Sequence, residues 1–224
     1  MHGACVEMGT SPRPIRVFLA DDHAIVRQGL RQLLETAGDF LVVGEAVDGR
    51  AVLNAPDKDS WDVLVLDLSL PRVSGVEVMR RLHESQPGLR VVVLSMYPED
   101  QYGLRMLKEG AAAYLGKTEP PETIIDTIRR VAAGEVVRTE AVHRAEEAAR
   151  SRSERAPHET LSAREYQVFM LIAQGRTVAD IAAELNLSGS TVSNHLAHVR
   201  EKLRAQSNGE IVRYAYRAGL IDEP

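Results

Sequence analysis

One pattern constrains this chain more than any other: between residues 15 and 133, short apolar runs that end in a polar residue alternate with stretches of helical periodicity. The run Ile15-Arg16-Val17-Phe18-Leu19-Ala20 ends in Asp21-Asp22, and Ile25, Leu30, Leu33 and Leu34 then recur at helical spacing. Further runs cover 40–46, 63–66 before Asp67, 91–94 before Ser95, and 112–115 shortly before Lys117. The stretches between them predict helices at about 24–37, 49–55, 74–85, 99–109 and 121–133. Strands that are apolar on both faces and alternate with helices build a parallel sheet. Right-handed crossovers then place helices on both of its sides. The expected fold of this half is α/β, a doubly wound five-stranded parallel sheet.

The rest of the chain follows different rules. Over 134–158 the β-branched residues thin out and charged residues and Ala take over, which predicts a charged, partly helical linker. From 159 to 224 only helical signals appear. Ser162 stands as an N-cap with Glu165 as its capping-box partner, and Val168, Leu171 and Ile172 give that helix a core face. A second helix is predicted over 178–185, a tight turn over 186–189 and a third helix over 190–203, which is helix-turn-helix spacing. Val192, Leu196, Val199 and Leu203 would face inward on the third helix. A small all-α domain over 159–224 therefore follows the α/β domain of 15–133, with residues 1–14 as an N-terminal extension. A length of 224 residues suits one ordinary domain and a smaller one.

The formal charge of −5 speaks against nucleic acid as a partner, since such binders are expected to be basic. Division by domain changes this. Residues 1–150 hold 18 Lys/Arg against 23 Asp/Glu, and residues 151–224 hold 9 of each. Within the neutral half, Arg200, Lys202 and Arg204 against Glu201 concentrate positive charge on the third helix, and it is the local field that attracts phosphates. The single cysteine, Cys5, has no internal partner, and its surroundings are too polar for a signal peptide or a membrane span. The expected setting is reducing and cytoplasmic, with no membrane partner.

In open α/β sheets the ligand crevice lies beyond the carboxyl ends of the strands. There the chain places Asp21, Asp22, Asp67, Ser95 and Lys117. Singly, each has an ordinary explanation: Asp21, Asp22 or Ser95 could cap a helix, Asp67 could be a turn residue and Lys117 a solvated lysine. Jointly, three carboxylates, a hydroxyl and an ammonium at successive strand ends point to a shared task. Carboxylates crowded together suit Mg2+, and a hydroxyl with an ammonium opposite it can hold phosphoryl oxygens. An Asp can accept a phosphoryl group covalently.

These residues carry a resemblance. Asp21-Asp22-His23, Val65-Leu66-Asp67-Leu68-Ser69-Leu70-Pro71, Val93-Leu94-Ser95 and Tyr114-Leu115-Gly116-Lys117 resemble receiver domains of two-component response regulators, over about residues 15–133. The resemblance implies a flavodoxin-like fold in which Asp67 takes a phosphoryl group from a histidine kinase. It also implies Mg2+ held by Asp22, Asp67 and the Ser69 backbone carbonyl with Asp21 assisting, and phosphoryl oxygens held by Ser95 and Lys117. Tyr114 matches the aromatic position that turns inward when Ser95 moves toward the phosphoryl group. Thr118 stands where many receivers have Pro.

The segment 159–221, including Ile181-Ala182, Leu187-Ser188, Thr191-Val192-Ser193-Asn194-His195 and Lys202-Leu203, resembles the LuxR-type DNA-binding domain, a pairing found in the NarL/FixJ-like class. The resemblance implies base contacts at Ser193, Asn194 and Ala197 and phosphate contacts at Thr191 and Arg200. His198 and Arg204 lie on the same exposed face. A module this small implies a homodimer on paired half-sites of double-stranded DNA. The last predicted helix, 209–218, resembles the family's dimerisation helix, with Ile211, Val212, Tyr214 and Ala215 as its contacts. No turnover enzyme is expected, only slow self-dephosphorylation. Hydrolases of the haloacid dehalogenase type also use a strand-end Asp, but they usually need a second Asp two residues on, where this chain has Ser69. A phosphorylation-independent DNA binder is the other alternative. His23 and His195 lack a nucleophile–base constellation; His23 is assigned to a loop and His195 to packing or a backbone contact.

Overall fold

A computed structural model describes residues 13–150 and 156–221 of the chain, with the side chains of 149 and 150 left aside. Residues 1–12, most of the expected N-terminal extension, and 151–155 of the expected linker lie outside the described residues.

Five strands, β1 (Ile15–Ala20), β2 (Phe40–Ala46), β3 (Val63–Leu66), β4 (Arg90–Ser95) and β5 (Ala113–Gly116), pair in parallel in the order β2-β1-β3-β4-β5. The order reverses at β1, so the β1 and β3 ends flank the crevice where ligands of such sheets bind. Four helices connect the strands, α1 (Ala24–Ala37), α2 (Gly49–Asn54), α3 (Gly75–Ser85) and α4 (Glu99–Lys108), and α5 (Pro121–Ala132) follows β5.

Alternation along each strand feeds two cores. Val17, Leu19, Val63, Val65, Val92 and Leu94 pack with Leu30 and Leu34 of α1 and Ile124, Ile128 and Val131 of α5. Phe18, Leu64, Leu66 and Val93 point the other way, against Val52, Val78, Met79, Leu82, Tyr102 and Met106 of α2, α3 and α4. Both faces of the central strands are thus dry, as the apolar runs require. Gly44 is required by close approach: a Cβ there would lie 2.5 Å from the Phe18 ring, which stacks on Trp61 at 3.9 Å.

The second half holds α6 (Glu140–Arg150), α7 (Ala163–Ala173), α8 (Val178–Glu184), α9 (Gly189–Leu203) and α10 (Asn208–Arg217). Capping sets their starts. Ser162 and Glu165 form the expected capping box, Thr177 and Asp180 form a second, and Ser188 accepts a hydrogen bond from the Thr191 amide at 3.1 Å.

Two features depart from the expectation. The partly helical linker is indeed helical over α6, yet it is packed: Val142 is buried, and a Cβ on Gly103 of α4 would meet its methyl at 2.5 Å. Helix α7, expected to bury one face, buries every residue. Its second face meets α4, where Tyr102 stacks on Tyr97 at 4.8 Å and meets Tyr166 of α7 edge-on at 5.2 Å. The Arg105 guanidinium lies 4.2 Å over the Tyr166 ring and donates to the His158 carbonyl at 3.0 Å. The core of the α2–α4 side therefore continues into the helical domain.

Candidate phosphoacceptor site and nucleic-acid interface

The polar strand ends converge. The Lys117 ammonium, delivered by the end of β5, donates to Asp21 Oδ2 at 2.6 Å and Asp67 Oδ2 at 2.8 Å. Asp67 Oδ1 accepts from the Ser69 amide at 3.2 Å, which wraps the loop after β3 around the carboxylate. A Cβ on Gly75 would lie 2.1 Å from the Asp67 carbonyl oxygen, so only glycine lets α3 start so close to that strand end. Asp22 completes the group: one ligand atom from each of Asp21, Asp22, His23 and Asp67 falls within 4.8 Å of the others.

Electrostatically the pocket is under-neutralised. Burial raises the Asp67 pKa above its ordinary value, against the opposing pull of Lys117, and the neighbouring Asp21 adds to the rise. Burial also acts to lower the Lys117 pKa, but its hydrogen bonds to Asp21 and Asp67 outweigh that and raise it. Asp22 Oδ1 is buried and accepts no hydrogen bond. Three carboxylates close together, only two of them paired with the ammonium, fit a small divalent cation with oxygen ligands.

Ser95, fully buried at the end of β4, accepts from the Tyr97 amide at 3.2 Å, and its carbonyl accepts from the Lys117 amide at 2.8 Å. The lysine loop needs no Pro at 118: that bond, the Glu119 amide to the Gly116 carbonyl, and the Gly116 amide to Glu99 Oε1 at 2.9 Å hold it. Tyr114 lies on the Ser95 side of the pocket, within the field of Asp67. It points inward, 1% exposed, and donates to the Tyr97 carbonyl at 2.8 Å.

Tyr97 is a residue that the sequence reading missed. Burial pushes its hydroxyl up to about 12, with Ser69 on the phosphoacceptor loop pulling against that shift and with Arg164 of α7 also within its field. It therefore lies between the pocket and the helical domain. The signal available in the sequence was an aromatic two residues after Ser95.

On α9, Val192, Leu196, Val199 and Leu203 are buried as expected. Ser193, Asn194, Ala197, His198 and Arg204 are exposed, Thr191 is half-buried and bonded to Ser188, and among the described residues no receiver element covers this face. Arg200 is half-buried and donates to Asn208 Oδ1 at 2.7 Å, which ties it to the start of α10. Lys202 pairs with Glu165 at 2.6 Å, so the positive field of α9 rests on Arg200 and Arg204. His195 is half-buried, as packing requires, and burial lowers its pKa.

The dimerisation set needs correction. Ile211 and Ala215 are wholly buried in the core of their own domain and cannot meet a second copy. Tyr214 is half-buried and tied to its own domain, its hydroxyl 2.8 Å from His158 Nδ1 and its ring edge-on to Phe169. Half-exposed Val212 and exposed Tyr216, one turn apart, form the outward face of α10.

Comparison with known proteins agrees with this division. Residues 17–129 match the response regulator receiver domain, and residues 159–215 match the bacterial regulatory proteins of the luxR family. The response regulator UvrY of Escherichia coli (strain K12) is 33% identical over 212 residues, covering 93% of this chain and 96% of UvrY. The oxygen regulatory protein NreC of Staphylococcus carnosus (strain TM300) is 33% identical over 218 residues, covering 93% of this chain and all of NreC. Among solved structures, RcsB of Salmonella enterica serovar Typhimurium, bound to promoter rprA in the presence of phosphomimetic BeF3−, superposes with a TM-score of 0.64 at 28% identity, over 90% of this chain and 98% of RcsB. Among the described residues no helix is long and apolar enough to cross a membrane. With a receiver domain before a LuxR-type DNA-binding domain, and relatives that match along nearly their whole length, the chain belongs to the NarL/FixJ class of two-component response regulators.

Proposed function

We propose that this protein is a transcription regulator switched by phosphorylation of Asp67. The observation that carries the reading is the convergence of Asp21, Asp22, Asp67 and Lys117 at the strand ends of a domain fused to a helix-turn-helix with an open face. An Asp67 carboxylate oxygen attacks the phosphorus of a phosphohistidine on a partner kinase. The new O–P bond forms as the P–N bond breaks, and the imidazole leaves. Lys117 is placed to transfer its hydrogen bond from Asp67 to a phosphoryl oxygen. Mg2+ bound by Asp22, Asp67 and the Ser69 carbonyl, with Asp21 assisting, would neutralise charge on the transferring group.

Phosphorylation then competes for Ser95. In this structure its hydroxyl accepts from the Tyr97 amide. Movement of Ser95 toward a phosphoryl oxygen breaks that bond and frees Tyr97, whose carbonyl anchors Tyr114 and whose ring stacks on Tyr102 at the domain junction. Because the α9 face is already open, the switch acts by pairing two copies and not by uncovering the reader. Val212 and Tyr216 form the pairing face, and Ser193, Asn194 and Ala197 read bases in two half-sites. Turnover is slow, because position 69 offers a serine and no second carboxylate to activate water.

The test compares wild type and Asp67→Asn, each with and without acetyl phosphate and Mg2+. Intact mass reports phosphoryl gain, sedimentation reports pairing, and selection from a random DNA pool reports the site. Equal selection in all four samples and no phosphoryl gain in either protein would remove phosphorylation control.

A further inference from the structure

The loop that leads from Asp67 into α3 contains a strained turn. Arg72 has φ +64°, a backbone region in which a side chain is unfavourable and glycine is usual. The Val73 amide donates to the Pro71 carbonyl at 2.7 Å, so the chain reverses tightly around Arg72. A γ-turn with positive φ at its centre is rare and strained. Core packing does not account for the residue, since its side chain is 65% exposed. Its ion pair does: Nη2 lies 2.7 Å from Oδ2 of Asp48, at the turn between β2 and α2. Asp48 is buried, and its other oxygen accepts from the Ala51 amide at 2.8 Å and caps α2. Backbone ties reinforce the same junction. The Gly49 amide donates to the Pro71 carbonyl at 3.2 Å, and a Cβ on Gly49 would collide with the Val73 carbonyl.

On the reading of this pocket as a divalent-cation site, we propose that Asp48 and Arg72 are positioning residues for it: their ion pair pins the loop after β3 to the start of α2 and so fixes where the Ser69 carbonyl is presented. The near end of the loop is already held. The Ser69 amide donates to Asp67 Oδ1, the Gly75 amide donates to the Leu68 carbonyl at 3.0 Å, and the side chains of Leu68 and Leu70 are buried. The turn at Arg72 joins the far end to a second element. A carboxylate ligand can adjust by rotating its side chain, but a backbone carbonyl moves only with its loop. Mg2+ demands near-ideal octahedral geometry, so a carbonyl ligand needs a loop that is held at both ends. Strain persists where the surroundings over-determine a residue, and such places cluster at functional sites. If the pair served only to seat α2, glycine at 72 would relieve the turn and leave Mg2+ binding unchanged.

The test uses the full chain as wild type, Arg72→Gly, Asp48→Asn and the double variant. Titration calorimetry reads Mg2+ affinity, and urea unfolding in metal-free buffer reads stability. Glycine adopts φ +64° without strain, and Asn caps a helix as well as Asp does, so both single variants should unfold close to the wild-type urea concentration. Mg2+ affinity should nevertheless fall about tenfold in each, the loss usual for a residue that supports a metal ligand. The double variant should bind no more weakly than either single one, because both substitutions remove the same tie. Wild-type Mg2+ affinity in either single variant, or losses that add in the double variant, overturns the positioning role while leaving the cation site intact. Failure of wild type to bind Mg2+ overturns both.

Discussion

Replacement of Lys117 by Met keeps the apolar stem and removes the ammonium that two carboxylates share. The side chains involved are 6%, 4% and 3% exposed, so water cannot take over the role of the ammonium. Charge-assisted hydrogen bonds contribute about 1.5–3 kcal/mol each, and breaking a buried pair costs about 3–5 kcal/mol. Lys117→Met in metal-free buffer should therefore lose about 4 kcal/mol of unfolding free energy at pH 8. The pH dependence follows from the direction of the Asp67 shift. Its folded pKa already lies above the ordinary carboxylate value, so the folded state binds more protons than the unfolded one between those two pKa values. Stability falls as pH rises through that window, and loss of Lys117 widens it upward. As pH is lowered into that window a bound proton replaces the missing cation, and the loss should shrink, to about 2 kcal/mol by pH 5 if the window reaches it. Excess Mg2+ should also restore stability, by about 2.7 kcal/mol at a hundredfold excess over its dissociation constant. Urea unfolding followed by Trp61, the single tryptophan and part of the receiver core, reads this directly. A loss below about 1 kcal/mol at pH 8, or the same loss at pH 5 and pH 8, would refute the reasoning.

Gly75→Ala should displace the β3 end, costing about 1–3 kcal/mol in urea unfolding and slowing phosphorylation by acetyl phosphate, because its Cβ has only backbone to displace. Asn194→Ala should cost about 1–3 kcal/mol at a single base position in selected sites. Arg204→Ala should instead weaken binding to all sequences alike and lower the salt slope by about 1. Val212→Asp should abolish pairing on DNA in sedimentation and leave the helical circular dichroism intact, since the residue lies on the outer face of α10.

The sequence disclosed the receiver because its strands must satisfy two demands at once. They are apolar where both faces are covered and turn polar where the crevice begins, so 63–66 followed by Asp67 or 91–94 followed by Ser95 fits little else. Interfaces between domains have no comparable signature. Tyr102, Tyr166 and Phe169 look like any helix core face, and nothing in their spacing says that some of them belong to a neighbour. For the same reason Ile211 and Ala215 marked a buried face correctly but not what buries it. In α6 the close approach of Val142 to Gly103 is a match between two distant positions, which no periodicity can reveal amid charged residues.

The continuous core between α4 and α7 bears on how far the two halves are interchangeable. A hybrid that joins this helix-turn-helix domain to a foreign receiver at residue 133 would strip Tyr166 of Tyr102 and Arg105 and leave α6 without Gly103. Such a hybrid would present wet apolar surface on both parts and tend to aggregate. The transferable unit is larger than either family match: α4, α6 and everything from residue 156 onward have to move together, so new sensor pairings for this output are restricted to receivers whose α4 has a small residue facing the linker helix and an aromatic facing α7.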